Sequence, residues 1–468
     1  MSAVHTPSKP SAVAAPNAKA AMRFRNLALA VLSALAALAL IGCAPLAPRP
    51  SVDTADALAS ALPQSAPAEF DSLGRAAALA DDGGQLDSAA VTRRVLLRHP
   101  QLAAARARLE GAELDAWLID QPAQPMLRLM PMLSEGRFRL EALLMQPLAE
   151  WLSRDLRTRL SQVEAERASA ELVDQVLGTV IEAQRAFHAA IVAEHHAGLQ
   201  TERVALAQQQ LDLIEARLRS GETDAAALIE SRAGVARERA QAARSMSMRV
   251  DARAALAAAL GESSAAELRI PMQLPPLLQV LPPQPEQAIE SGLREASPEI
   301  RSARLRVESA ELRGLLLDHW SSRWMPRAGV AGMRGGDMSE ARLELEVALP
   351  LWGRPDLEVD RAGASAREAS ALREVAERAR ALAAERALEA LQPAQQELRA
   401  ARAADAEAGR QYRLARALLS RGEGRIEAVW AARVTQLDAE RETVEADARL
   451  LGEALALQRL LGRFETIE

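Results

Sequence analysis

"HPQLAAARARLEGAELDAWLID", residues 99–120, and "SPEIRSARLRVESAELRGLLLD", residues 297–318, align without a gap. Pro100 falls on Pro298, and the "AEL" of 112–114 falls on that of 310–312. Two more matches keep the same order. "MQPL" (145–148) pairs with "ALPL" (348–351), and "RLRSGETDAAALIESR" (217–232) pairs with "LLSRGEGRIEAVWAAR" (418–433), setting Gly221 on Gly422. Gly261 closes the first half and Gly462 the second. Matches that recur in one register point to an internal duplication. Between the halves, "PMQLPPLLQVLPPQPEQ" (271–287) is too rich in proline for a helix or a central strand and reads as a linker.

The pattern inside each half predicts helix, β-hairpin, very long helix, turn, helix. From about Arg154 to Arg219 there is no proline; some 65 helical residues span roughly 100 Å. Apolar doublets, Leu172-Val173, Val176-Leu177 and Val180-Ile181, widen the buried face, so this helix should meet neighbours on two sides. One segment in each half alternates with period two. "RFRLEALLMQ" (137–146) sets Phe138, Leu140 and Ala142 against Arg137, Arg139 and Glu141. "ARLELEVALP" (341–350) sets Leu343, Leu345 and Val347 against Arg342, Glu344 and Glu346. Each has one wet and one apolar face, the signature of a strand. Their partners are "PMLRLMPML" (125–133) and "RAGVAGMRG" (327–335), joined through "SEG" and "GGDMSE". Pro131 should interrupt the first strand, and Pro393 should interrupt and kink the second long helix.

Nine or ten alternating residues suit a tilted strand that crosses an outer membrane. Four strands cannot close a barrel alone, and lipid does not tolerate open edges, so several chains would have to share one barrel. Trp117, Trp151, Trp320, Trp324 and Trp352 flank the hairpins. They read either as an interfacial belt or as filling at helix–hairpin junctions.

Cys43 is the only cysteine in 468 residues, so it has no intramolecular partner. Arg23 and Arg25, an apolar run from Leu27 to Ile41 and small residues at its end make a secretory signal over 1–42, with Met22 a candidate true start. "Leu40-Ile41-Gly42-Cys43" resembles the lipobox of bacterial lipoproteins; the plainer reading is a chance cysteine at a signal-cleavage site. The resemblance implies acylation of Cys43, whose lipid would be the chain's only attached group, no other cofactor being expected. Ala44 in place of Asp then favours the outer membrane. Residues 43–88, rich in Ala, Pro and Ser, read as a lipidated flexible leader. The predicted organisation is therefore signal 1–42, leader 43–88, first repeat 89–262, linker 263–296 and second repeat 297–468.

Four of the 57 basic residues lie in residues 1–42, which hold no acid. The remainder carries 53 basic against 63 acidic residues, a net −10, which argues against nucleic acid as a partner. Aromatics are only 3%, and a chain dominated by Ala, Leu, Arg and Glu suggests closely packed long helices. There is no Gly-rich phosphate loop, no His-Glu-x-x-His and no nucleophile motif, so no enzyme is expected. His195 and His196 are adjacent and diverge by about 100° on a helix, which disfavours a shared metal.

Taken in order, "HPQLAAA" and "SPEIRSA", the strand ends "QPL" and "LPLW", the turns "RSGETD" and "SRGEGR" and the lipobox resemble the TolC-like outer-membrane efflux family over about residues 90–462. The resemblance implies a mainly α fold with a small β part. It implies a homotrimer in which four strands per subunit form one outer-membrane β-barrel and the long helices form a periplasmic α-helical barrel. The chain would be the passive exit duct of a tripartite efflux or secretion system, partnered by a periplasmic adaptor and an inner-membrane transporter. Gly221, Glu222, Asp224, Gly422 and Glu423 would then lie at the periplasmic hairpin turns, where adaptors dock and acidic rings gate. For the acids the plainer reading is helix N-capping. Two rival readings are a pore-free periplasmic coiled-coil scaffold lipoprotein and the pump's adaptor subunit.

Overall fold

The computed structural model describes residues 85–121, 123–134, 137–274, 297–335, 338–349 and 354–461. Cys43, the signal, nearly all of the leader and Trp352 lie outside them. In chain order the elements are α1 (Ser88–Arg98), α2 (Pro100–Asp120), β1 (Met126–Ser134), β2 (Arg137–Pro147), α3 (Ala149–Leu152), α4 (Arg154–Ser220) and α5 (Ala225–Leu260). There follow α6 (Pro298–Asp318), α7 (Trp320–Trp324), β3 (Arg327–Gly335), β4 (Met338–Glu346), α8 (Arg354–Ser420) and α9 (Ile426–Leu461). The long helices α4 and α8 have 67 residues each, and α5 and α9 have 36 each. The two halves thus share the order helix, β-hairpin, very long helix, helix that the aligned motifs predict, although the short α3 follows the first hairpin and the short α7 precedes the second. The separate helix α1 was not anticipated. Asp87 caps it, its Oδ1 accepting from the Ala90 amide at 2.6 Å.

The chain divides into two compact units, one built on the sheet and one helical. In the helical unit, α4 packs against α1, α5, α6 and α9, and α8 packs against α6 and α9. The doublets explain this. Leu172, Val176, Leu177, Val180 and Ile181 are all buried, together with Phe187 and Ile191, against Leu102 and Leu109 of α2 and Leu256 and Leu260 of α5. The second hairpin packs more thinly. Leu391, Ala394 and Leu398 of α8 meet Ala446 and Leu450 of α9, while Leu372, Val375 and Leu382 are exposed. Pro393 does not end α8, contrary to expectation. The buried residues on either side of it hold the helix to α9 across the missing hydrogen bond.

Arg380, 5% exposed, fastens the far end of this hairpin. It donates to the Arg459 and Leu460 carbonyls at the C-terminus of α9 and pairs with Glu299 at 3.4 Å. A cation there complements the helix dipole.

The sheet unit is four antiparallel strands in the order β1-β2-β3-β4. β1 runs through Pro131, which pairs with Leu140, so this proline does not break the strand. Within the described chain β1 has a strand partner on one side only, and such a strand is among the places where a sheet tolerates proline. β4 differs from expectation, running 338–346 and not 341–350. Its frame is set by β3, whose Arg327 pairs with Glu346 and Gly335 with Met338. Beyond it, the Ala348 amide bonds the Trp324 carbonyl at 2.9 Å.

Candidate functional site

The register sorts the sheet's side chains onto two faces, because directly paired residues point the same way. One face carries the transverse rows Leu127–Leu144–Val330–Leu343 and Leu129–Ala142–Gly332–Ala341. Every residue in them is apolar. Leu343 is 87% exposed and Leu345 72%, and Leu127, Leu129, Leu133 and Leu140 are also open. Contiguous apolar surface of this kind is rare on soluble monomers and marks contact with another protein, a ligand or a membrane.

The other face carries Met126–Met145–Gly329–Glu344, Arg128–Leu143–Ala331–Arg342 and Met130–Glu141–Met333–Glu340. Several of its charges are paired. Arg342 donates to Glu141 at 2.5 Å and to Glu344 at 2.8 Å, and Arg327 lies 3.7 Å from Glu346. Small residues on β3 let Arg342 reach over Ala331 to Glu141, which is only 8% exposed. The alternation read from "RFRLEALLMQ" and "ARLELEVALP" therefore holds for the described side chains. The sheet ends in two free edges, β1 and β4.

In the helical unit the sequence-chosen residues lie at the α4–α5 and α8–α9 connections. Gly221 and Gly422 each have φ +79°. At the first turn the Gly221 and Glu222 amides bond the Leu218 and Arg217 carbonyls, and at the second the Gly422 and Glu423 amides bond those of Leu419 and Leu418. Both are Schellman closures, which need a left-handed residue. No atom crowds a Cβ at either glycine, so alanine there is expected to cost only the backbone term, about 1 kcal/mol each. Chemical denaturation of the single variants measures it, and an unchanged midpoint would contradict the assignment.

Asp224 takes the plainer of its two readings. Its Oδ1 accepts from the Ala227 amide at 2.9 Å and caps α5. The aligned residue in the second turn is Arg425. Asp224→Ala is expected to cost about 1 kcal/mol and to speed amide exchange over residues 225–228; unaltered exchange would exclude the cap. Glu222 and Glu423 are exposed.

Sequence reasoning missed what joins the two turns. Arg217, in the last turn of α4, donates to Glu427, in the first turn of α9, at 2.5 Å. The resulting hydrogen bonds hold the Glu427 carboxyl below its ordinary range, a backbone amide contributing most and Arg217 next. The seam continues along α4 and α9 with Arg203–Asp438, a two-pronged Arg433–Glu202 contact at 2.7 and 2.8 Å, and His196–Glu445 at 3.4 Å. Arg433 also stacks on the Tyr412 ring at 5.5 Å. Beside the turns, Trp430 is buried next to a cleft of about 430 Å³ lined by Ile214, Arg217, Val235 and Glu427. The paired residues lie 210 to 249 positions apart, so only the fold brings them together. His195 and His196 do not form a metal cluster; no group of three His, Cys, Asp or Glu residues suited to a metal occurs among the described residues.

No family model matches the sequence, and no curated protein matches it closely enough to count as a relative. Solved structures do match. A membrane protein from Pseudomonas aeruginosa aligns over 80% of this chain and 93% of its own, with TM-score 0.65 and 19% identity. The outer membrane protein VceC of Vibrio cholerae aligns over 81% and 97%, with TM-score 0.64 and 19% identity. The CmeC outer membrane channel of Campylobacter jejuni aligns over 83% and 88%, with TM-score 0.67 and 14% identity. This chain has the fold of the outer-membrane channels. That fold accounts for the mainly helical architecture with one small antiparallel sheet. It agrees with the TolC-like resemblance carried by the duplicated motifs.

Proposed function

We propose that the chain is the outer-membrane exit duct of a tripartite efflux or secretion system, working as a homotrimer. The observation that carries this reading is the open four-stranded sheet whose leucine face has no cover among the described residues. Strands of 9, 11, 9 and 9 residues suit a tilted crossing of an outer membrane. In lipid the unpaired backbone of β1 and β4 must find partners. Pairing β4 of one subunit with β1 of the next closes a barrel of four strands from each of three chains and leaves no edge. The leucine face then meets lipid and the charged face lines water. Exposed Trp151, Trp320 and Trp324 suit the membrane–water boundary.

The hairpin turns, with exposed Glu222 and Glu423, are the region we assign to a periplasmic adaptor, through which an inner-membrane transporter delivers substrate. The Arg–acid seam between α4 and α9 holds the two hairpins together beside that region. Cys43 is assigned as a lipid anchor. The adaptor and transporter follow from the TolC-like resemblance of the duplicated motifs, and the anchor from the lipobox-like Leu40-Ile41-Gly42-Cys43. The work of the chain is passage, without catalysis.

Purified full-length protein in planar bilayers tests the duct directly. Stepwise ion conductance is expected; a protein that reaches the bilayer and passes no current is a scaffold. Mass spectrometry of the mature N-terminus tests the anchor, with an acylated Cys43 expected and a free cysteine or a different N-terminus counting against it.

A further inference from the structure

The two outer strands of the sheet carry opposite charge on the water face. Arg128 is the only charged residue of β1, whereas β4 carries Glu340, Arg342, Glu344 and Glu346 there. Arg128 is exposed and has no ion-pair partner among the described residues. The acid diagonal to it on β2, Glu141, is taken by Arg342. On β4, Glu344 is also bound to Arg342, while the half-open Glu346 meets Arg327 only at 3.7 Å.

Barrel geometry says which of these acids a neighbouring Arg128 would meet. Within the chain the rows run straight from β1 to β4, as 126–145–329–344 does, and such rows lie perpendicular to the strands. The stagger of a closed barrel therefore falls at the seams between subunits. Four strands at about 4.8 Å spacing and a tilt of about 35–45° slip by about four to six residues before the next subunit is met. The slip must be even to keep both leucine faces outward, so it is about four or about six.

Chirality gives its direction. The Leu148 amide bonds the Pro326 carbonyl at 2.9 Å. Hydrogen-bonded pairs alternate from there along β2 and β3 and include Leu144 with Val330. In an upright strand of L-residues, a side chain facing the viewer has its own N–H and C=O to the right. Seen from the leucine face with β2 upright, β3 and β4 therefore follow on the right. Right-handed strand twist makes barrel strands lean rightward from outside. Perpendicular rows then descend to the right and meet the next β1, which runs downward, at a later residue. At the smaller slip Glu346 stands directly opposite Arg128 of the partner subunit; at the larger it is one diagonal step away, within reach of a long side chain. At the smaller slip Glu344 and Arg342 face Met130 and Met132, so like charges do not meet.

We propose that Glu346 of one subunit and Arg128 of the next form an ion pair that locks the barrel seam in this register. The proposal rests on the duct reading above. Both residues turn their N–H and C=O inward, toward β3 and β2. The pair is thus of the non-hydrogen-bonded kind, with Cα atoms about 4.5 Å apart, close enough for a disulfide between cysteines placed there.

The test uses full-length protein extracted in mild detergent, oxidised with copper phenanthroline and run on denaturing gels without reductant. Arg128→Cys combined with Glu346→Cys is expected to give covalent dimers and trimers. Arg128→Cys combined with Glu340→Cys is expected to stay monomeric, as is each single variant, which controls for Cys43. A double-mutant cycle separates an ion pair from mere proximity. The temperature at which the trimer dissociates should fall for Arg128→Met and for Glu346→Gln, and fall little further when the two are combined. Fully additive losses would overturn the proposal. If wild-type protein conducts but the cysteines at 128 and 346 do not link, or those at 128 and 340 link instead, the proposal is overturned and the duct reading stands. If wild-type protein passes no current, the duct reading falls and the proposal falls with it.

Discussion

Leu343→Arg combined with Leu345→Arg is expected to abolish assembly into membranes. Both side chains belong to the bare leucine face, on the edge strand β4. A charge on the lipid face of a barrel costs about 2–4 kcal/mol at the bilayer midplane, falling toward zero at the interfaces. Both residues also sit beside the edge through which β4 would meet a neighbouring subunit. Glu344 lies between them in sequence but on the opposite face, bound to Arg342. Glu344→Gln should therefore insert as wild type does. Liposome flotation followed by native mass spectrometry reads both variants. Normal flotation and trimer formation by the double arginine variant would remove the membrane assignment of the sheet.

The second large effect is one of pH, on the helical unit. His188 is 3% exposed on α4, and neither ring nitrogen has a hydrogen-bond partner. Burial alone pushes its pKa down to about 4 from an ordinary 6.5. In this range the unfolded chain takes up a proton that the folded chain refuses. The histidine's contribution is thus complete above pH 6.5 and is lost as pH falls toward 4, below which it no longer changes. The loss is on the order of 3 kcal/mol across that window. His195 and His196 are also pushed down by burial, against the opposing charges of Glu440 and Glu445, and add in the same direction. Denaturation midpoints of wild type and His188→Leu, measured from pH 7 to 4, isolate the His188 part. The variant should lose stability less steeply. Parallel curves would show that the imidazole is not held neutral by burial.

Much of the site was legible in residue patterns. The in–out alternation of 137–146 assigned the two faces of β2 before any partner was known, and the aligned glycines located both turns. Other features escaped because they are set by contacts distant in sequence. The alternation in 341–350 continues past the point where β4 stops, since the strand ends with its partner β3 and not with its own pattern. Pro131 and Pro393 read as breaks because a proline's local cost is visible in the sequence, while the edge position of β1 and the packing of α8 on α9 are not. The bond from Arg217 to Glu427 joins residues 210 positions apart that nothing local singles out.

By itself the sequence determined the duplication, the length of the first long helix, the turn glycines and the alternation of the strands. These follow from backbone geometry and side-chain period, which act over a few residues at a time. Only the tertiary structure decided the strand register, the reach of Arg342 to Glu141 and the clamp between the two hairpins. Each depends on which distant segments lie side by side. That is settled by the simultaneous burial of apolar surface and pairing of backbone donors across the whole fold, a condition no short stretch can encode alone.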